Sequence, residues 1–139
     1  MLIAVPYPNF IRSARVLETQ RIAKMLDWID ELLDPRASDK IKKSSSYSAW
    51  RDAPNALADY GNALSKELIS RGLKQGGYTP FPYNLTRLPY SLPYWFGNPD
   101  LHKWHRSYLF TNNPDHFRKF WPEPPEFVTC LAWPKYKGE

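Results

Sequence analysis

Pro80, Pro82, Pro89 and Pro93 divide residues 78–94 so finely that neither a long helix nor a central strand fits there. Each proline ring fixes φ and removes a backbone donor, so a segment with four of them favours polyproline-like extended chain. Ten of the fourteen prolines and sixteen of the twenty-two aromatic residues lie in residues 76–139. The second half is therefore expected to be extended chain with short helices, its aromatics packed between a helical core and the strands laid over it. The core itself must come mainly from the first half.

There the apolar pattern is helical. Val16, Leu17, Ile22, Met25, Leu26, Ile29, Leu32 and Leu33 recur at helical spacing, so one helix is expected from a Ser13 cap to just before Pro35. Residues 37–48 lack that period. With Lys40, Lys42, Lys43 and the serines 44–46 they read as a mobile basic loop, able to touch phosphates or simply solvated. A second helix is expected over residues 54–71, with Asp52 as cap, Leu57, Tyr60, Leu64 and Leu68 on one face, and Gly72 as its stop. Gly61 within it suggests a close helix approach. Asn98 followed by Pro99 starts a third helix running to about Phe110, and Asn113, Pro114 and Asp115 repeat the device for a short helix through Trp121. The expected fold is all-α: a compact single domain over residues 1–139, with about three main helices wrapped by proline- and aromatic-rich segments.

The lone Cys130 excludes an internal disulfide framework and a cysteine zinc cluster, and points to a reducing, cytoplasmic setting. The start, Met1 to Pro8, has no basic leader with a long apolar stretch, so a soluble protein without membrane contact is expected. A net charge of +5 and a pI near 9.3 suit a polyanion partner without demanding one. Both halves share the surplus: 12 basic against 9 acidic residues before Gln75, and 7 against 5 after it.

His102, His105 and Arg106 stand at i, i+3 and i+4 and so share one helical face, flanked by Trp95, Phe96 and Trp104. Three readings of that face stay open: a phosphate contact, a structural hydrogen-bonding role for a histidine, or, with His116, a metal site. Arg106 and the lack of a carboxylate or cysteine at ligand spacing argue against the metal, and no cofactor is expected. Arg21, Lys24, Trp28 and Glu31 form one stripe of the first helix, with Arg12 and Arg15 near its start. This is either a DNA-facing stripe or a solvated face with pairs such as Lys24 with Asp27. In the tail, Trp133, Lys135, Tyr136 and Lys137 interleave aromatics with lysines, which suits base stacking beside phosphate contact.

The order of these segments resembles the pyrimidine-dimer DNA glycosylases of the phage endonuclease V type, over most of the chain. The similarity runs through Pro6, Tyr7, Pro8, Asn9 and Phe10, then Ser13 to Leu17, then Arg21 to Lys24. It continues through Trp50, Arg51, Ala56, Leu57, Tyr60, Gly61, Glu67, Arg71 and Gly72, and then Trp95, Gly97, His102, His105, Arg106, Ser107, Pro114 and Phe117. The tail Trp133, Lys135, Tyr136 and Gly138 is similar to the family's aromatic tail, which lies against the lesion.

The resemblance implies an all-α fold that binds double-stranded DNA, extrudes a base and breaks its glycosidic bond. In that family an N-terminal α-amine attacks the sugar C1′, and the resulting imine permits β-elimination. An α-amine, with a pKa near 8, keeps a useful neutral fraction for this. Here the amine is that of Met1. Arg15, Arg21, Lys24, His102, His105, Arg106, Trp133, Lys135 and Tyr136 are the expected DNA contacts. The family's catalytic glutamate falls on Trp28, with Asp27 adjacent but about 100° around the helix. Ser44 and Ser45 stand where relatives have His-Pro. Two functions remain open. One is a glycosylase/lyase using Met1, with Asp27, Asp30 or Glu31 as the carboxylate. The other is an inactive form of the fold, holding DNA or a protein partner.

Overall fold

The structure, a computed structural model, describes residues 2–73, 90–123 and 125. The described residues form seven helices and no strand: α1 (Phe10–Val16), α2 (Thr19–Leu33), α3 (Asp39–Lys42), α4 (Ser45–Trp50), α5 (Pro54–Ser70), α6 (Pro99–Asn112) and α7 (Pro114–Phe117). The fold is all-α. Three helices have 14 residues or more, and the other four have 4 to 7.

The single helix expected from Ser13 to Pro35 is two. α1 starts earlier, where the Asn9 side chain accepts from the Arg12 amide at 2.8 Å, which satisfies one of the free donors of the first turn. Ser13 is buried, and its hydroxyl binds both the amide (3.1 Å) and the carbonyl (3.0 Å) of Tyr7. The break falls at Leu17 and Glu18, both in extended conformation. Distant residues hold it open. Arg71 donates to Thr19 Oγ1 and to the carbonyls of Ala14 and Arg15, and the His116 ring bonds the Val16 carbonyl. Burial raises the Glu18 carboxyl pKa, but hydrogen bonds from Asn113 and Arg21 outweigh it and hold that carboxyl below its ordinary value.

The basic loop expected at residues 37–48 contains α3 and α4 instead. Its serines act as caps: Ser38 accepts from the Ile41 amide and Ser44 from the Tyr47 amide. Asp52 does not cap α5. Ala53 holds that position without a side-chain bond, and Pro54 starts the helix. The other end follows expectation. Gly72 at φ 73° lets its amide reach the Ile69 carbonyl and the Leu73 amide reach the Leu68 carbonyl, a Schellman stop.

Ile22, Met25, Leu26, Ile29 and Leu32 of α2 are buried, and α5, α2's main helical neighbour, buries Leu57, Tyr60, Leu64 and Leu68. An aromatic cluster ties the remaining elements to them. Phe10 stacks on Tyr60 at 5.0 Å, Trp50 meets Trp95 edge-on at 5.0 Å, and Phe96 meets His102 at 5.6 Å. Beneath these rings runs extended chain: Ile3, Ala4, Val5 and Pro6 are buried, with no strand beside them among the described residues.

Candidate functional site

A buried extended segment without a sheet must satisfy its backbone polar groups by other means. Here side chains supply the partners. Tyr60 of α5 donates its hydroxyl to the Ala4 carbonyl. The Val5 amide donates to His105 Nδ1 at 2.8 Å, and His102 Nδ1 donates to the Val5 carbonyl at 2.7 Å. Arg106 Nη1 donates to the Pro6 carbonyl at 2.7 Å. The N–H and C=O of one extended residue point to the same side, so Val5 presents both groups to α6. Two histidines one helical turn apart meet them as a neighbouring strand would.

The pattern fixes both tautomers. His102 Nε2 accepts from the Gly97 amide at 2.9 Å, so its proton is on Nδ1. His105 accepts at Nδ1, so its proton is on Nε2. Gly97 lies at φ 90°, a left-handed conformation that side-chain-bearing residues rarely adopt, and this turn aims its amide at His102. Both imidazoles are held neutral. Burial lowers the His105 pKa to about 3, the neighbouring His102 adding to the effect and the backbone bond at Val5 opposing it. Burial also lowers that of His102, with Arg106 adding to it and the Val5 bond opposing.

The expectation of a cationic face made by His102, His105 and Arg106 is thereby corrected. At 1% and 0% exposure the imidazoles are core residues that reach no external polyanion. Both take the structural role. The sequence could not distinguish them from a surface pair, because their partners are backbone atoms some hundred residues away. His116 bonds Val16, and no group of three potential ligands able to hold a metal ion occurs among the described residues.

Arg106 alone of that face is half-buried rather than sealed in. Its Cζ lies 5.4 Å from the Tyr7 ring centroid, and the exposed Arg12 lies over the same ring at 3.9 Å. Tyr7 is held by Trp121, whose indole N–H donates to the Tyr7 hydroxyl at 2.7 Å. Trp121 in turn stacks on Phe117 at 4.9 Å. Tyr7 joins the site without being one of the expected contacts. The available signal was the Pro6-Tyr7-Pro8 stretch, which holds the chain extended just before the Asn9 cap.

The other expected contacts are dispersed. Arg15 and Lys24 are exposed and Arg21 is paired with Glu18 at 2.9 Å. Lys24 and Asp27, the example pair of the solvated-face alternative, are both exposed and form no ion pair with each other. Trp28 is half-buried against the core, while Asp27, Asp30 and Glu31 are exposed. Met1, Cys130, Trp133, Lys135 and Tyr136 lie outside the described residues, as do most of residues 78–94.

No helix among the described residues is long and apolar enough to cross a membrane. Geometry thus defines an all-α protein with a side-chain-clamped N-terminal segment. Compared with protein-family models, curated proteins and solved structures, the chain matches none.

Proposed function

We propose that this protein binds double-stranded DNA as a base-excision glycosylase/lyase of the endonuclease V-like kind, acting on a damaged or modified base. One observation carries the reading. The segments that hold the resemblance converge on residues 4–7: Ser13 of α1, Tyr60 of α5, and His102, His105 and Arg106 of α6 all bond that stretch of backbone. An amine nucleophile needs a fixed position relative to the sugar it attacks, and four side-chain bonds fix the backbone of residues 4–6. In this reading the Met1 amine adds to C1′ of the deoxyribose, the glycosidic bond breaks, and the ring-opened imine undergoes β-elimination. The net basic charge supplies the attraction to the backbone.

A second reading has its own observation. Trp28 packs against the core where the family has its glutamate, and Asp27, Asp30 and Glu31 point to solvent. A carboxylate that must stabilise charge on an extruded sugar works best when shielded from water. This favours a form of the fold that holds DNA or a protein partner without chemistry. Borohydride trapping on duplexes containing an abasic site or a pyrimidine dimer separates the two. The first reading expects a covalent adduct and strand cleavage. DNA binding without either supports the second, and no DNA binding at low salt leaves only the protein-partner form.

A further inference from the structure

Arg12 and Arg106 face one aromatic ring, and neither guanidinium forms an ion pair with any described carboxylate. Among the described residues the Arg12 side chain makes no hydrogen bond, and one Arg106 N–H is engaged, with Pro6. The Tyr7 hydroxyl accepts from Trp121, which leaves its own hydrogen without an acceptor among the described residues. Two cations and a hydroxyl donor thus gather around one ring, with no carboxylate paired to them among the described residues. The two guanidinia interact unfavourably, Arg12 adding to burial in lowering the Arg106 pKa, and that repulsion is relieved when an anion sits beside them. The cluster opens outward, because Arg12 is exposed and Tyr7, Arg106 and Trp121 are only half-buried.

We infer that Arg12, Tyr7 and Arg106 form a binding site for a phosphoryl group. A guanidinium fork matches two oxygens of such a group, and a phosphoryl group has enough oxygens to engage two forks and a hydroxyl together. A carboxylate spreads its acceptor positions in one plane, whereas phosphoryl oxygens point in three dimensions and meet donors that arrive from different sides. Burial lowers the Arg106 pKa from its ordinary value, Tyr7 opposing and Arg12 adding to the effect, yet an arginine remains a cation throughout the usual pH range. The packing of Tyr7 against Trp121, and of Trp121 on Phe117, fixes the ring on which both cations rest. The phosphoryl group belongs either to a nucleic-acid backbone or to a free ligand, and only the first source rests on the DNA-binding function proposed above.

The test uses the full chain with Arg12→Gln, Tyr7→Phe and the double variant, and Arg36→Gln as a charge-matched control at an exposed position after α2. Arg12 is exposed and its side chain makes no hydrogen bond among the described residues, so its loss is expected to leave folding intact. Inorganic phosphate should raise the wild-type melting temperature above that in chloride of equal ionic strength, acetate should not, and Arg12→Gln and the double variant should lose the rise. With a duplex DNA of about twenty base pairs, Arg12→Gln should bind about fivefold more weakly and show a salt slope smaller by about one. Arg36→Gln should change neither slope nor phosphate response. Loss of the phosphate response together with weaker DNA binding supports the site with DNA as its source. Loss of the phosphate response in a protein that binds no DNA supports the site with a free phosphoryl ligand and removes the DNA-binding function. Phosphate and DNA responses in Arg12→Gln equal to those of the wild type overturn the inference.

Discussion

Helices α2 and α6 are nearly equal in length, yet they contribute to the structure in opposite ways. α2 buries Ile22, Met25, Leu26, Ile29 and Leu32 and leaves Lys24, Asp27, Asp30 and Glu31 outside, so its polarity tells where it faces. α6 buries His102, His105 and Ser107 alongside Leu101, Leu109 and Phe110. The difference lies in what each helix packs against. α2 meets the apolar side of α5, which needs only apolar area in return. α6 meets the open backbone of Val5, which needs a donor and an acceptor. A polar residue is therefore a core residue wherever its neighbour is unpaired chain.

The largest expected effect lies on the α6 side. His105→Ala leaves the Val5 amide buried without an acceptor and opens a cavity, and should lower unfolding free energy by roughly 3–5 kcal/mol in urea titrations. His105→Asn, which restores an acceptor near the Nδ1 position, should recover part of that loss. Equal destabilisation by the two variants would mean that the acceptor does not matter. On α2, Ile29→Ala should cost roughly 3 kcal/mol through its cavity alone, with no rescue by any polar residue.

Acid should separate the two helices next. His105 has its pKa lowered to about 3 in the folded protein, whereas an unfolded histidine titrates near its ordinary value of 6.5. Between these values the unfolded chain binds a proton that the folded one does not, so stability falls as pH falls from about 6.5 toward 3. The slope reaches up to about 1.4 kcal/mol per pH unit for this one residue. Urea titrations from pH 7.5 to 5 keep clear of most carboxylate titration and should show the decline in the wild type and a flatter curve in His105→Asn. Identical curves would remove the neutral histidine from the account. The smallest effect belongs to the exposed face of α2: Asp27→Ala should change stability by less than about 0.5 kcal/mol, because Asp27 is exposed and forms no ion pair among the described residues.

The same contrast explains what the sequence disclosed. α2 and α5 were legible because their apolar residues repeat at the helical period, and the start of α6 because Asn98 and Pro99 signal it locally. The break between α1 and α2 was not, since Arg71, Asn113 and His116 hold it from far along the chain. Serines 38 and 44 cap short helices, but serine is equally at home in linkers, so α3 and α4 had no distinct signal. At the site, the helical register of His102, His105 and Arg106 was readable and its direction was not. Arg106 keeps the anion-facing role proposed here for it, joined by Arg12 and Tyr7, while the two histidines turn inward.

Long-range nitrogen–proton correlation spectra of the imidazoles, recorded through a pH titration, test the clamp most directly. The clamp requires His102 as the neutral Nδ1–H tautomer and His105 as the neutral Nε2–H tautomer, with His105 still unprotonated at pH 6. Two histidines that titrate together near their ordinary value, with the same tautomer, would contradict it.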